Sequence, residues 1–209
     1  MTSAHLQLHF YVEDVSTEAA LQILIPVILK DHQGGFEYEI HPFRGKPDLL
    51  KKLPQRLQAY ASRIQHNPNF RIIVLVDRDD EDCRSLKQRL EGIAEQAHLV
   101  TRTARPDDFQ LINRIAIEEL EAWFFGDVIA IRQAYPKVPQ SLASKQKFRD
   151  PDAITGGTSE ALERALKHYH PGGLEKSRAA REISKHMNPD VNRSISFQVF
   201  RDALRQLFG

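Results

Sequence analysis

Five uninterrupted apolar residues, Ile72 to Val76, constrain this chain more than any other stretch. A run of that kind suits a central strand of a parallel sheet, covered on both faces. Immediately after it the chain turns acidic, with Asp77, Asp79, Asp80, Glu81 and Asp82 interrupted only by Arg78. Carboxylates at that point fit two roles. They can form a solvated loop that caps the next helix, or they can hold a divalent metal.

The surroundings say what kind of sheet this is. Leu6 to Asp14 alternates apolar and polar residues before ending in acid, a strand pattern. Residues 16–30 carry Ala20, Leu21, Leu24, Val27 and Ile28 at helical spacing, with Ser16 or Thr17 as N-cap and Pro26 as a kink or boundary. Gly34-Gly35 marks a turn, and FEYEIHPF is a second alternating strand. Pro47 opens a helical stretch with Leu49, Leu50, Leu53, Leu57 and Ile64 apolar, and CRSLKQRLEGIAEQ is an amphipathic helix striped by Leu86, Leu90 and Ile93. Strand alternating with helix three times predicts an α/β fold with right-handed crossovers, whose sites lie at the carboxyl ends of the strands. Phe109 to Ile117 reads as a further strand. A helix from Glu118 onward would make Glu118 and Glu121 neighbours on one side. Past residue 127, prolines and Gly-Gly pairs break the chain between short helical segments. The expected division is an α/β domain over 1–127 and a helical C-terminal extension over 128–209.

Composition narrows the function classes. The 209 residues carry a net charge of +1, which gives no global field for nucleic acid. Polyanion contacts must come from local clusters: Lys145 and Lys147, then Lys176 with Arg178, Arg181 and Lys185. The last three share a helix face, which reads equally as a solvated surface or as a phosphate-contacting one. One cysteine, Cys83, excludes a disulfide scaffold and Cys-based zinc sites and fits a reducing interior. No apolar run approaches the roughly 20 residues that cross a bilayer, and the N-terminus lacks a signal-peptide pattern. The expected location is the cytoplasm, with no membrane contact. The nine histidines show no HExxH-type spacing, so a zinc site is not expected. Neither GxSxG nor GxxxxGK[ST] occurs, so serine-hydrolase and P-loop chemistry have no support.

Magnesium takes oxygen ligands and is often held by one or two carboxylates together with water and phosphate. Asp77 and Asp79, two residues apart, point the same way if the segment is extended. Glu13 reaches the same ion only if the first and third strands are neighbours. Asp82, and Glu81 with it, suit the N-cap and dipole of the following helix without any further role. Glu118, Glu119 and Glu121 suit a helix N-terminus too. A carboxylate buried among Ile117, Leu120 and Phe124, however, needs a second metal or an arginine such as Arg114.

The acid pattern resembles the TOPRIM domain shared by topoisomerases, primases and the overcoming-lysogenisation-defect nucleases. VEDVSTE (Val12 to Glu18) is similar to that family's glutamate motif, and VDRDDE (Val76 to Glu81) to its DxD or DxDxE motif. The resemblance covers roughly residues 5 to 125. A closer likeness is to small TOPRIM-like proteins often encoded beside an ATPase, carried by EELEAWFFGD, EKSRAAREI and SISFQVFRDAL. It implies a Rossmann-like parallel sheet with both acid motifs on adjacent strands. Asp77 and Asp79 then match magnesium (or manganese) ligands, and Glu13 matches a ligand or general acid/base. Glu121, with Glu118 or Glu119 beside it, matches the acid of a second metal, and Lys176 a family lysine. Asp14 stands where the family has glycine, which leaves the backbone less free to approach a phosphate.

These readings lead to one expectation: a magnesium-dependent phosphodiester hydrolase acting on DNA or RNA, in antiphage defence or nucleic-acid processing. An ATPase encoded nearby and a second copy of the chain are the candidate partners. The alternative is a non-catalytic TOPRIM-fold subunit that binds nucleic acid or the ATPase. A third reading makes Asp77 a phospho-acceptor of receiver or phosphatase type.

Overall fold

Four parallel strands form the sheet, in the order β2-β1-β3-β4. They are β1 (Leu6–Val12), β2 (Phe36–Pro42), β3 (Phe70–Asp77) and β4 (Leu111–Ala116). The computed structural model describes residues 5–31 and 35–208, so part of the turn expected at Gly34-Gly35 lies outside the described residues. The fold is α/β and Rossmann-like. The helices in chain order are α1 (Val15–Ile28), α2 (Lys46–His66), α3 (Cys83–Gln96), α4 (Glu121–Gly126), α5 (Val128–Ala134), α6 (Thr158–Leu166), α7 (Lys176–Ser184) and α8 (Ile195–Arg205).

Two compact units divide the chain. One holds the residues through Val15, Asp31–Ile115 and Phe208; the other holds Ser16–Lys30 and Ala116–Leu207. The later segment of the second unit begins at Ala116, and α1 belongs to that unit although it links β1 to β2.

In the first unit β3 is buried from Ile72 to Val76, as its continuous apolar run requires. Ile72, Val74 and Val76 share a core with Leu49, Leu53 and Leu57 of α2 and Leu86 and Leu90 of α3. Burial of each such aliphatic side chain contributes roughly 1.5–3 kcal/mol. Ile73 and Leu75 alternate to the other face and are buried as well. β1 departs from its alternating pattern because its outward-reading polar residue is not exposed. His9 stacks on Phe70 with ring centroids 4.4 Å apart and is covered by Tyr60 at 5.5 Å.

Three local expectations are corrected. α1 starts at Val15 and runs through Pro26, so Ser16 and Thr17 lie inside the first turn and Asp14 stands at the cap position, where aspartate is favoured. Asp79 has φ +50°, a left-handed turn, so the chain is not extended from Asp77 to Asp79 and alternation does not align them. Glu118 also has a positive φ, +64°, and α4 begins only at Glu121; Glu118 and Glu121 are therefore not neighbours within one helical turn. The acid run does cap a helix: Asp82 Oδ1 accepts from Ser85 N at 2.9 Å at the start of α3.

The second unit packs its aromatic residues around the EAW and SISF segments. The Trp123 ring lies 5.2 Å from Phe197 and 5.0 Å from Phe200, and its Nε1 donates to Ser196 Oγ at 3.0 Å. Asn192 Nδ2 donates to the Trp123 carbonyl at 2.8 Å. A Cβ on Gly126 would overlap the Asn192 side chain, so only glycine admits this approach. Packing and hydrogen bonding account for Trp123, Asn192, Ser196, Phe197 and Phe200 in these segments.

Candidate functional site

The strand order reverses direction between β1 and β3, and in open α/β sheets ligands bind in the crevice beyond the carboxyl ends at such a point. β1 and β3 pair directly, with Val12 opposite Leu75. Glu13 therefore emerges beside Asp77, and its Oε1 accepts the Asp77 backbone N–H at 2.9 Å. A cavity of about 680 Å³ opens there, lined by Glu13, Lys46, Lys51, Asp79, Glu81 and Arg89 among others.

Lys46 is the residue lining this cavity that sequence reasoning misses. It begins α2, just after β2, and its side chain is only 7% exposed. Its ammonium donates to Asp79 Oδ2 at 2.8 Å, Glu81 Oε1 at 2.9 Å and the Arg78 carbonyl at 3.0 Å. Gly45 before it has φ +88°, and its N–H donates to the Glu13 carbonyl at 2.8 Å, which seats the start of α2 against the end of β1. The available signal was positional: a lysine at the carboxyl end of a strand next to β1.

Burial pushes the Glu13 carboxyl up to about 7, against the Asp77 N–H and the Lys46 charge, which lower it. Burial also works to lower the Lys46 pKa, but the hydrogen bonds to Asp79 and Glu81 outweigh it and hold the amine above its usual value. The site thus pairs a carboxyl near neutrality with a firmly charged amine.

The acids supply hard oxygen donors and a surplus of negative charge, which suits a dication bound largely through water. Glu13, Asp77 and Asp79 do not, however, form a trio with donor atoms all within 4.8 Å of one another, so no preformed three-carboxylate cage exists there. Asp79 and Glu81 each give one oxygen to Lys46, which leaves the second oxygen of each carboxylate for another ligand.

Residues 12–205 match the model of a family described as Domain of unknown function (DUF4276). The chain belongs to the DUF4276 family. No curated protein and no solved structure matches it.

This DUF4276 chain carries its second acid group in the second unit. Glu119 Oε2 accepts from Thr158 Oγ1 at 2.9 Å and Ser159 N at 2.8 Å, so it caps the start of α6. Lys176 Nζ lies 3.7 Å from Glu119 Oε1 and 3.6 Å from Glu121 Oε1. Glu121 is 3% exposed and lies beside Lys176, while the Arg114 guanidinium donates to the Asn113 carbonyl. Arg178, Arg181 and Lys185 are exposed along α7 and its C-cap, with Arg178 near Glu175 at 3.8 Å and Lys185 on Glu182 at 2.8 Å. Lys145 and Lys147 are exposed around the short turn Gln146–Phe148. Among the described residues, no helix is long and apolar enough to cross a membrane.

Proposed function

We propose that the chain is a magnesium-dependent phosphodiester hydrolase acting on DNA or RNA, in antiphage defence or nucleic-acid processing alongside an ATPase. The observation that carries this reading is Glu13: a nearly buried carboxyl at about 7, on the switch-point strand end, bonded to Asp77 and open to a cavity. The resemblance of VEDVSTE and VDRDDE to TOPRIM motifs supports it.

Asp77 and Asp79 would hold the ion, magnesium or manganese, which when bound polarises the phosphoryl group and stabilises charge on the leaving oxygen. Glu13 accepts a proton from the attacking water or gives one to the leaving oxygen, since a pKa near the working pH serves both directions. Lys51 and Arg89, on the cavity wall, contact phosphate oxygens of the substrate. Glu118, Glu121 and Lys176 lie in the second unit, with Lys176 already beside Glu121, and carry no step here. Lys145, Lys147, Arg178, Arg181 and Lys185 are the proposed backbone contacts. The lone free thiol of Cys83 suits a cytoplasmic protein.

Lys46 favours a second reading. Its ammonium already neutralises Asp79 and Glu81, as expected of a TOPRIM-like subunit that binds nucleic acid or an ATPase without cleaving. One assay separates the two: purified protein, with and without the neighbouring ATPase, is incubated with plasmid DNA and structured RNA in magnesium or manganese. Cleavage lost in Asp77→Ala, Asp79→Ala and Glu13→Gln supports the hydrolase. Absence of cleavage, or equal cleavage by these variants, leaves the binding subunit.

A further inference from the structure

We infer that His9, Glu39 and His41 form a site for a zinc-class divalent ion on the edge of the sheet, apart from the acid cavity. Among the described residues, they are the one trio of potential ligands whose donor atoms all lie within 4.8 Å of one another. Strand register brings them together. His9 of β1 is the direct partner of Glu39 of β2, and His41 lies two residues on, opposite Tyr11. Residues two apart on a strand share a face, so all three side chains rise from the same side.

The distances fit an ion. His9 Nδ1 and His41 Nε2 are 3.0 Å apart, and Glu39 Oε2 lies 3.7 Å and 3.6 Å from them. A triangle with those edges has its centre about 2.0 Å from each corner, and zinc bonds imidazole nitrogen and carboxylate oxygen at about 2.0–2.2 Å. Glu39 is 68% exposed, so its carboxylate is free to adjust by the few tenths of an ångström a tetrahedral site needs. Burial lowers the pKa of both histidines, so both rings are neutral at pH 7. Without metal the Nδ1–Nε2 contact is an N–H···N hydrogen bond, and its proton moves to the ring's other nitrogen when both facing nitrogens ligate.

The rings are also fixed. His9 stacks on Phe70 at 4.4 Å and meets His41 edge to edge, nearly coplanar, at 5.3 Å, and Tyr11 stacks on His41 at 5.0 Å. Fixed ring planes lower the ordering cost of ligation. A cavity of about 320 Å³ borders His9 and Glu39 and is also lined by Glu37, Tyr60 and Arg63. Three protein ligands beside open space match a site whose fourth position takes water or an anion. Glu13 lies four residues farther along the chain than His9, about 13 Å at strand rise, so the ion would not share the carboxylates at the strand ends.

Cobalt(II) reports this directly, because a four-coordinate imidazole site absorbs visible light far more strongly than an octahedral all-oxygen one. The chelator-treated full chain is titrated with cobalt(II), then with zinc and, separately, with magnesium. The expected result is one strongly absorbing cobalt ion per chain, displaced by zinc and not by magnesium. Glu39→Gln, at an exposed position, weakens binding about tenfold or more. His41→Ala removes the bands, and Asp77→Ala leaves them unchanged. Absence of the bands in the wild-type chain, or bands retained at equal affinity in both Glu39→Gln and His41→Ala, overturns the site.

Discussion

The Glu13 carboxylate accepts the backbone N–H of Asp77 at 2.9 Å, tying the ends of two neighbouring strands through a group that titrates near neutrality. That bond needs only an acceptor oxygen, so it persists whether the carboxyl is protonated or ionised. The charge it carries is what costs stability.

Burial raises Glu13 from its ordinary 4.5 to about 7. A raised carboxyl pKa stabilises the fold where the group is protonated. That contribution is complete below about pH 4.5 and is lost as pH rises through about 7. The difference corresponds to as much as about 3 kcal/mol. Metal-free Glu13→Gln keeps the acceptor without the charge, so its Tm should exceed wild type at about pH 8 and match it near pH 4.5. Thermal melts at both pH values check this; an equal Tm difference at both would reject it.

Lys46→Met removes a buried ammonium from three acceptors. Hydrogen bonds to charged groups contribute about 1.5–3 kcal/mol, so metal-free stability should fall by that order. The freed carboxylates should bind a dication more tightly. Melts in chelator and in magnesium are expected to show a larger magnesium-induced rise in the variant than in wild type.

Glu119 and Lys176 should respond differently although they are close. Glu119→Ala leaves Thr158 Oγ1 and Ser159 N without their acceptor, and loss of such a cap costs about 1–2 kcal/mol. Lys176 is 45% exposed and 3.6–3.7 Å from its partners, so Lys176→Ala should cost under about 1 kcal/mol. Denaturant unfolding of both variants tests the contrast.

Ser194 caps α8 by accepting from Phe197 N at 3.2 Å while donating to Asp152 at 2.7 Å, and it is fully buried. Ser194→Ala should lower stability by about 1–2 kcal/mol, and Ser194→Thr should restore part of the loss if the extra methyl is accommodated. Chemical denaturation of the two variants measures the difference.

Local patterns in the chain were readable where one residue's chemistry decides the outcome. Ile72 to Val76 suits a covered strand, and Asp82 before Ser85 could cap α3 without help from elsewhere. Asp79 and Glu118 escaped because a left-handed backbone at a non-glycine residue is set by what the side chain reaches, not by its neighbours in sequence. Lys46 escaped because its three acceptors all lie more than thirty positions away along the chain. The His9–Glu39–His41 group escaped for the same reason: strand register, which pairs residue 9 with residue 39, is not written as a spacing.

The assignment of α1 to the second unit has a practical consequence. The chain leaves the first unit after Val15, contributes one helix elsewhere, and returns at Asp31 before leaving again after Ile115. A protease nick between Ile115 and Ala116 would therefore not release two free halves. The N-terminal fragment would still own a helix whose Leu21, Leu24 and Ile25 are fully buried. The two fragments should co-purify until that helix unfolds; expressed alone, the C-terminal fragment should lack part of its interior and the N-terminal one should expose the apolar face of α1.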